Sequence, residues 1–241
     1  MGRFETTAGP HEPERAPMIS LAPATVTLSD RRTERRWSVD VDAFEIAAVP
    51  VTRSWYDVVS GERPGAATGG RLPAVDVSWW DAVHFCNALS RRDGLTAAYH
   101  FDDDAGKSRE DGAVRWDATA DGYRLPTEAE WEHACRAGSV GPRYGPLDEI
   151  AWHRGNSGGR VREVGSRAPN GWGLHDMLGN VWEWCWDVYD AQVYGSYRVL
   201  RGGGWFDEHW SCRASVRRRS HPTLRIDDVG FRLACTPPVT S

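Results

Sequence analysis

Residues 171–184 read GWGLHDMLGNVWEW. This stretch holds three tryptophans and three glycines, and it shows no helical period. Glycine and asparagine favour turns because they tolerate backbone conformations that other residues avoid. The stretch therefore predicts a loop that runs into a short strand at residues 182–186.

The same irregular character extends in both directions from this stretch. Residues 138–173 are dominated by glycine, proline, asparagine and tryptophan, which predicts a long region of loops. Alternating or β-branched segments predict short strands at residues 19–28, 37–46, 49–55, 182–186, 198–200, 213–216 and 230–234. A hairpin is predicted between residues 99–101 and 114–116.

Two helices are predicted before the loops begin. Ser78 and Asp81 form a capping-box pattern ahead of residues 79–89, and Thr127 and Glu130 form a second one ahead of residues 128–137. Two helices among short strands and long loops predict an α+β fold. No internal linker or repeat is present, so we expect a disordered leader at residues 1–17, one domain at 18–236 and a tail at 237–241.

Charge and hydropathy exclude several classes of partner. A net charge of −5 leaves no basic footprint for nucleic acid. No apolar run approaches the ~20 residues of a membrane span, and the first residues lack the apolar core of a signal peptide. Lys107 is the only lysine among many arginines, which is typical of GC-rich bacterial coding. The expected location is the bacterial cytoplasm.

Cysteine and tryptophan contents are both informative. The five cysteines include no CxxC pair, which disfavours a zinc site. Cys86 and Cys135 fall on the predicted helices, where we expect them to act as small core residues. The chain has 13 tryptophans, which predict a core built around indole rings. Those near the C-terminus could instead line a ligand cleft.

Four stretches together carry a family resemblance. They are LPAVDVSWWDAVHFC at 72–86, YRLPTEAEWE at 123–132, GWGLHDMLGNVWEW at 171–184, and RVLRGGGW at 198–205 followed by GFRLA at 230–234. In this order they resemble the formylglycine-generating enzyme, or sulfatase-modifying factor, family. The resemblance spans roughly residues 18–236 and implies that family's loop-rich variant of the C-type-lectin-like fold.

The family resemblance also implies a copper chemistry, which this chain matches only in part. Formylglycine-generating members bind Cu(I) with two cysteines and oxidise a cysteine of an unfolded sulfatase segment to an aldehyde. Here Cys212 takes the second cysteine position, whereas the first falls at Asp207, or at Glu208 if the alignment slips. A carboxylate is a poor ligand for Cu(I), so ordinary formylglycine generation is not expected. Whether Cys185 or Cys235 supplies a second sulfur ligand stays open.

Iron is the other redox metal found in this family. Related sulfoxide synthases hold iron with histidines that include a His-x-x-x-His pair. None of the eight histidines here lies four residues from another. His209 is notable only because it shares a loop with Asp207 and Cys212. Neither copper nor iron is assigned by the sequence.

A calcium site is implied more directly by the family pattern. Asp176, Gly179, Val181 and Glu183 match family ligands, and carboxylate and carbonyl oxygens suit Ca²⁺. The alternative is that Glu183 pairs with an arginine while Asp176 caps a turn. In the same way, the basic run from Arg213 to Arg219 is either a solvated face balanced by Asp227 and Asp228 or a contact for an anion.

Two functions follow from these observations. The first is a divergent metal- and oxygen-dependent oxidoreductase acting on a peptide or a small thiol. Its catalytic candidates are Cys212, Asp207 and His209, and its substrate-binding candidates are Trp182, Trp205, Trp210 and Arg213. The alternative is a non-catalytic, lectin-like module that presents residues 205–213 to a ligand or peptide. The missing cysteine favours binding or new chemistry over the parent reaction.

Overall fold

The computed structural model describes residues 15–61, 70–101 and 114–237. Helices and short strands are interspersed along this part of the chain, which confirms the α+β class. The helices are α1 (Arg53–Ser60), α2 (Trp79–Arg92), α3 (Glu128–Arg136), α4 (Leu147–Ile150) and α5 (Ala191–Tyr194). Most of the predicted leader and tail lies outside the described residues. Within these residues, no helix is both long and apolar enough to span a membrane.

The strands are β1 (Met18–Leu21), β2 (Ala24–Asp30), β3 (Arg35–Val41), β4 (Phe44–Ala47), β5 (Tyr99–Phe101), β6 (Val114–Trp116), β7 (Tyr123–Arg124), β8 (Trp182–Val188), β9 (Arg198–Arg201), β10 (Arg217–Ser220), β11 (Val229–Gly230) and β12 (Ala234–Cys235). One sheet has the order β1-β4-β12-β7, so the two ends of the domain meet in it. A second sheet has the order β10-β9-β8-β11. Strands β2 and β3, and β5 and β6, form separate hairpins.

Tryptophan side chains join these small sheets and loops into one core. Trp79, Trp131, Trp182 and Trp184 are all buried. Their indole N–H groups find acceptors on distant segments: Trp79 donates to the Cys185 carbonyl at 3.0 Å and Trp184 to the Val77 carbonyl at 2.8 Å. Each ring therefore contributes apolar burial and a specific hydrogen bond. The prediction of a tryptophan-built core is confirmed.

The two predicted capping boxes are present. Ser78 caps α2 and Thr127 caps α3, each with reciprocal hydrogen bonds to the acidic residue three positions on. Cys86 and Cys135 lie fully buried on these two helices, as expected. All five cysteines carry free thiols.

Five strand predictions need correction. The predicted strands at 19–28, 37–46 and 230–234 are each divided between two strands that belong to different sheets. Residues 49–55 do not form a strand, because the Thr52 hydroxyl accepts from the Trp55 N–H and begins helix α1. The predicted strand at 213–216 is displaced, since pairing with β9 begins only at Arg217. Arg217 does not lie on a solvated face as predicted. Its Nε and Nη2 donate to the Glu128 carboxylate oxygens at 2.5 and 2.7 Å.

Candidate functional site

The candidate site begins where β9 ends in three consecutive glycines. Gly202 and Gly203 have positive φ angles of 101° and 84°. A Cβ atom on Gly203 would lie 3.0 Å from the Cys212 Sγ, and one on Gly204 would lie 3.2 Å from the Trp182 Cδ1. The glycines are needed because the backbone passes directly between the thiol and the indole ring.

Asp207 is fixed at the centre of the site. Its Oδ2 accepts a hydrogen bond from the Trp182 Nε1 at 2.6 Å and another from the Gly204 N–H at 2.9 Å. The neighbouring Glu208 points elsewhere and pairs with Arg154 at 3.2 Å. Asp207, and not Glu208, is therefore the carboxylate beside Cys212.

Cys212 is buried behind this carboxylate. Burial raises the pKa of its thiol to about 12, Asp207 adds to the rise, and Arg143 opposes it. The site therefore offers one buried thiol and one hydrogen-bonded carboxylate. A single thiol beside a carboxylate does not fit two-coordinate Cu(I), which prefers two soft sulfur ligands.

Two other cysteines are candidates for a second sulfur ligand beside Cys212. The Cys235 Sγ contacts Glu45 at 3.4 Å and belongs to the other half of the core. Cys185 packs in the same core cluster as Cys212. Within residues 15–61, 70–101 and 114–237, no group of three or more His, Cys, Asp or Glu side chains is placed to hold a metal ion.

Residues 205–213 form a loop over the site that is fixed from both sides. The Ser157 hydroxyl donates to the Trp205 carbonyl at 2.9 Å, and the Arg154 N–H donates to the Asp207 carbonyl at 2.9 Å. On the far side, the Arg143 Nε donates to the Cys212 carbonyl at 2.9 Å. These three anchors come from distant loops, and no sequence pattern pointed to them.

The predicted loop residues divide into buried and exposed groups. Trp182 is buried below the loop, and Trp205 is half-buried with its Nε1 donating to the Asp227 carbonyl at 3.0 Å. Trp210 is 54% exposed, with the ring of His209 edge-on against it at 4.9 Å. His209 is exposed and joins neither Asp207 nor Cys212.

Two further side chains complete this surface. Phe206 was not among the residues predicted from the sequence, yet it is 59% exposed. The Arg154 guanidinium lies over its ring, 5.2 Å from the ring centre. Arg213 is half-buried at the end of the loop. Phe206, Trp210 and Arg213 are hereafter called the loop surface.

At the predicted calcium site, Glu183 is paired with an arginine. Its carboxylate accepts from the Arg232 Nε at 2.6 Å and from the Arg232 Nη2 at 2.7 Å. The Trp131 Nε1 donates to the same carboxylate at 2.7 Å. All three side chains are buried, so the charge of Glu183 is balanced inside the protein.

Asp176 lies beside this pair with one oxygen unused. Its Oδ2 accepts from the Gly165 N–H at 2.7 Å, whereas its Oδ1 is buried without a hydrogen-bond partner among the described residues. Burial raises the pKa of this carboxyl. Gly179 and Val181 lie in the turn that leads into β8. The free oxygen fits a cation, but Glu183 could serve one only by sharing its oxygens with Arg232. Calcium therefore stays a prediction.

Comparison with known proteins identifies the family. Residues 5–237 match the model of the sulfatase-modifying factor enzyme 1-like domain. This chain belongs to that family, as the four stretches predicted.

Three similar proteins show which relatives the chain has. Chaperone protein LppX of Paenibacillus barcinonensis is 32% identical over 70% of this chain and 71% of its own length. Hercynine oxygenase of Mycobacterium tuberculosis is 33% identical over 81% of this chain, which spans only 53% of that protein. Among solved structures, Treponema denticola variable protein 1 is 32% identical with a TM-score of 0.79, covering 91% of this chain and 95% of its own. The family's fold is therefore confirmed for this chain.

Proposed function

We propose that this chain is a ligand- or peptide-binding member of its family, with the loop surface as its binding site. The observation that carries the proposal is the state of Asp207. At the position of the first copper cysteine, its carboxylate serves as the acceptor that ties Trp182 to Gly204. A residue used in this way supports the shape of the loop, and it is a poor ligand for Cu(I).

The loop surface has the properties of a binding site. Phe206 and Trp210 project from a backbone fixed at several points, so little conformational entropy is lost when they bind a partner. Aromatic side chains and arginine are also enriched among residues that dominate binding energy. Two exposed rings and Arg213 on the same loop suit a peptide with apolar side chains and a carboxylate. The name of one relative, a chaperone protein, agrees with a polypeptide partner.

The proposal is tested by selecting a random peptide library on the immobilised full chain. We expect selected peptides to lose about tenfold or more in affinity to Trp210→Ala or Phe206→Ala, because hot-spot truncations cost ~2 kcal/mol or more. Val193→Ala is the matched control, since Val193 is similarly exposed outside the loop. Peptides that bind these variants and the wild type equally would contradict the proposal.

A second candidate is a divergent metal- and oxygen-dependent oxidoreductase acting on a thiol or a peptide. Two observations support it: the similarity to an enzyme named hercynine oxygenase, and the retention of Cys212 beside Asp207. In this case Cys212→Ser abolishes turnover, whereas in the binding proposal it leaves peptide affinity unchanged. The effect of Cys212→Ser therefore distinguishes the two candidate functions.

Calcium is proposed as a structural ion at Asp176. The support is the buried Oδ1 that no described group hydrogen-bonds. An unpaired carboxylate oxygen inside a protein is costly unless a cation balances it. Asp176 would supply the charge, backbone oxygens of Gly179 and Val181 would be further ligands, and water would fill the remaining positions.

A further inference from the structure

A cleft separate from the loop surface opens between the β2–β3 hairpin, the start of helix α3 and the end of β8. Its volume of about 410 Å³ falls within the range of about 300–1,000 Å³ that small-molecule sites occupy. Leu28, Val39, Val41 and Trp116 give it apolar walls, and none of the three loop-surface residues lines it. The cleft is therefore large enough for a small molecule with an apolar body.

The charged side chains of this cleft leave an excess of negative charge. Among the described residues, the carboxylates that line it are Asp40, Asp42, Glu128, Glu130 and Asp187, and the guanidinium groups are Arg35, Arg124 and Arg217. Two of these arginines are already paired: Arg124 donates twice to Glu130 at 2.7 Å, and Arg217 donates twice to Glu128 at 2.5 and 2.7 Å. Three aspartates then face one remaining arginine, so the cleft favours a cation.

Asp187 is the half-buried carboxylate at this position that no described arginine pairs with. Its Oδ2 accepts from the Glu128 N–H at 2.6 Å, which is the one hydrogen bond that its side chain makes to another described residue. The charge of Arg198 acts on Asp187 from outside the cleft. However, that guanidinium donates to the Trp186 carbonyl at 2.6 Å and lies over the Trp79 ring, 3.7 Å from its centre. The Asp187 Oδ1 is therefore left as an acceptor for a ligand.

The surroundings of Asp187 work against its charge. Burial raises the pKa of this carboxyl to about 6, and the Glu128 and Glu130 carboxylates add to the rise. A titratable group that lies in a cleft and is perturbed by burial and by like charges is typical of a functional site. A positive ligand would offset the repulsion from both glutamates.

We propose that this cleft binds a small primary amine with an aliphatic or aromatic body. The ammonium group donates to the Asp187 Oδ1, while the hydrocarbon part packs against the apolar walls. Asp40 and Asp42, on the exposed side of the cleft, add to the attraction. No group of three or more acidic, His or Cys side chains among the described residues is placed to hold a metal ion, which favours an organic cation. Hydrogen bonds from ammonium to carboxylate are charge-assisted, and this explains a preference for an amine over a neutral alcohol.

The test is an NMR titration of the ¹⁵N-labelled full chain at pH 7.5 with benzylamine and, separately, with benzyl alcohol. Trp116 lines the cleft, and its indole N–H resonance is identified by its absence in Trp116→Phe. We expect benzylamine to shift this resonance saturably, with a Kd of about 1 mM or tighter. Benzyl alcohol has the same ring without the charge, and we expect it to bind at least tenfold more weakly.

A pair of variants locates the charge. Asp187→Asn keeps an acceptor for the Glu128 N–H and should weaken benzylamine binding about tenfold. Glu149→Gln removes an exposed carboxylate outside the cleft and should leave the affinity within about twofold. The amine–alcohol comparison uses the wild type alone, so it decides the question even if Asp187→Asn fails to fold. A Trp116 resonance that does not respond to benzylamine, equal affinities for the amine and the alcohol, or an unchanged affinity in Asp187→Asn would overturn the proposal.

Discussion

Asp207 has a structural role that its neighbour Glu208 does not share. Removing its carboxylate leaves two N–H groups without an acceptor, one of them on a tryptophan that is 2% exposed. Glu208 makes only a surface ion pair with Arg154. Adjacent acidic residues thus offer a matched comparison of a buried and an exposed acceptor.

We predict that Asp207→Ala lowers the free energy of unfolding by roughly 1–3 kcal/mol, since buried donors left unsatisfied lose about that much. Glu208→Ala should change it by less than about 1 kcal/mol, as for most surface ion pairs. Urea denaturation of the two variants measures both values. Equal losses would show that Asp207 does not hold the loop.

Asp187 gives a prediction about pH. Burial raises the pKa of its carboxyl to about 6, the nearby Glu128 and Glu130 carboxylates add to the rise, and the hydrogen bond from the Glu128 N–H opposes it. The folded protein therefore holds this proton between pH 6 and about pH 4, where the unfolded chain has released it. The contribution of Asp187 to the free energy of unfolding is unfavourable above pH 6 and improves as the pH falls through this window.

Asp187→Asn keeps an acceptor for the Glu128 N–H and removes the charge. We expect this variant to be more stable than the wild type by about 1 kcal/mol at pH 7.5. The difference should shrink towards zero at pH 4.5, where the folded wild type is protonated. Urea unfolding of both proteins across this range gives the comparison, and a pH-independent difference would contradict the assignment.

At the scale of elements, the two helices and the hairpin that local sequence patterns define were predicted correctly. Helices α2 and α3 could be predicted because Ser78 and Thr127 cap them through residues only three positions away. The hairpin of β5 and β6 was predicted correctly, with Tyr99 opposite Trp116. Residues 49–55 were misassigned because the β-branched Val49 and Val51 resemble a strand, whereas the cap at Thr52 decides the structure.

The contacts that shape the site are not local, and the sequence could not supply them. Arg143 and Ser157 reach residues 205–213 from loops without a recognisable period. Arg232 lies in the GFRLA stretch that carried the family resemblance, but nothing there identified Glu183 as its partner. The family pattern supplied the candidate residues, while their partners required the fold.

At the scale of the whole molecule, the core contains buried charged groups as well as apolar side chains. Glu183, Arg232 and Asp176 lie together in the interior and carry a net negative charge when all three are ionised. The charge on Asp176 is the one left without a pairing arginine in the described contacts. A bound cation at this point would therefore act on the stability of the entire fold.

We predict that CaCl₂ added to the EDTA-treated protein raises its Tm. A hundredfold excess over the Kd stabilises by about 2.7 kcal/mol, which corresponds to a rise of roughly 5–10 °C for a protein of this size. Asp176→Asn should abolish the response, and MgCl₂ serves as the ion control. A Tm that does not change with calcium, or that changes equally in the variant, would rule out this site.

We propose that Asp207 replaces a copper thiolate and commits the loop to binding. Mass spectrometry of a Cys-x-Pro-x-Arg peptide incubated with the Cu(I)-treated protein and oxygen tests this role of Asp207. A two-cysteine family member is the positive control and Cys212→Ser the negative one. We predict that the wild type leaves the peptide cysteine unchanged, because Cys212 supplies only one thiol to the site and the Asp207 carboxylate is held by Trp182 and Gly204. Aldehyde that forms with the wild type and disappears in Cys212→Ser would contradict the claim and assign the parent oxidation to this chain.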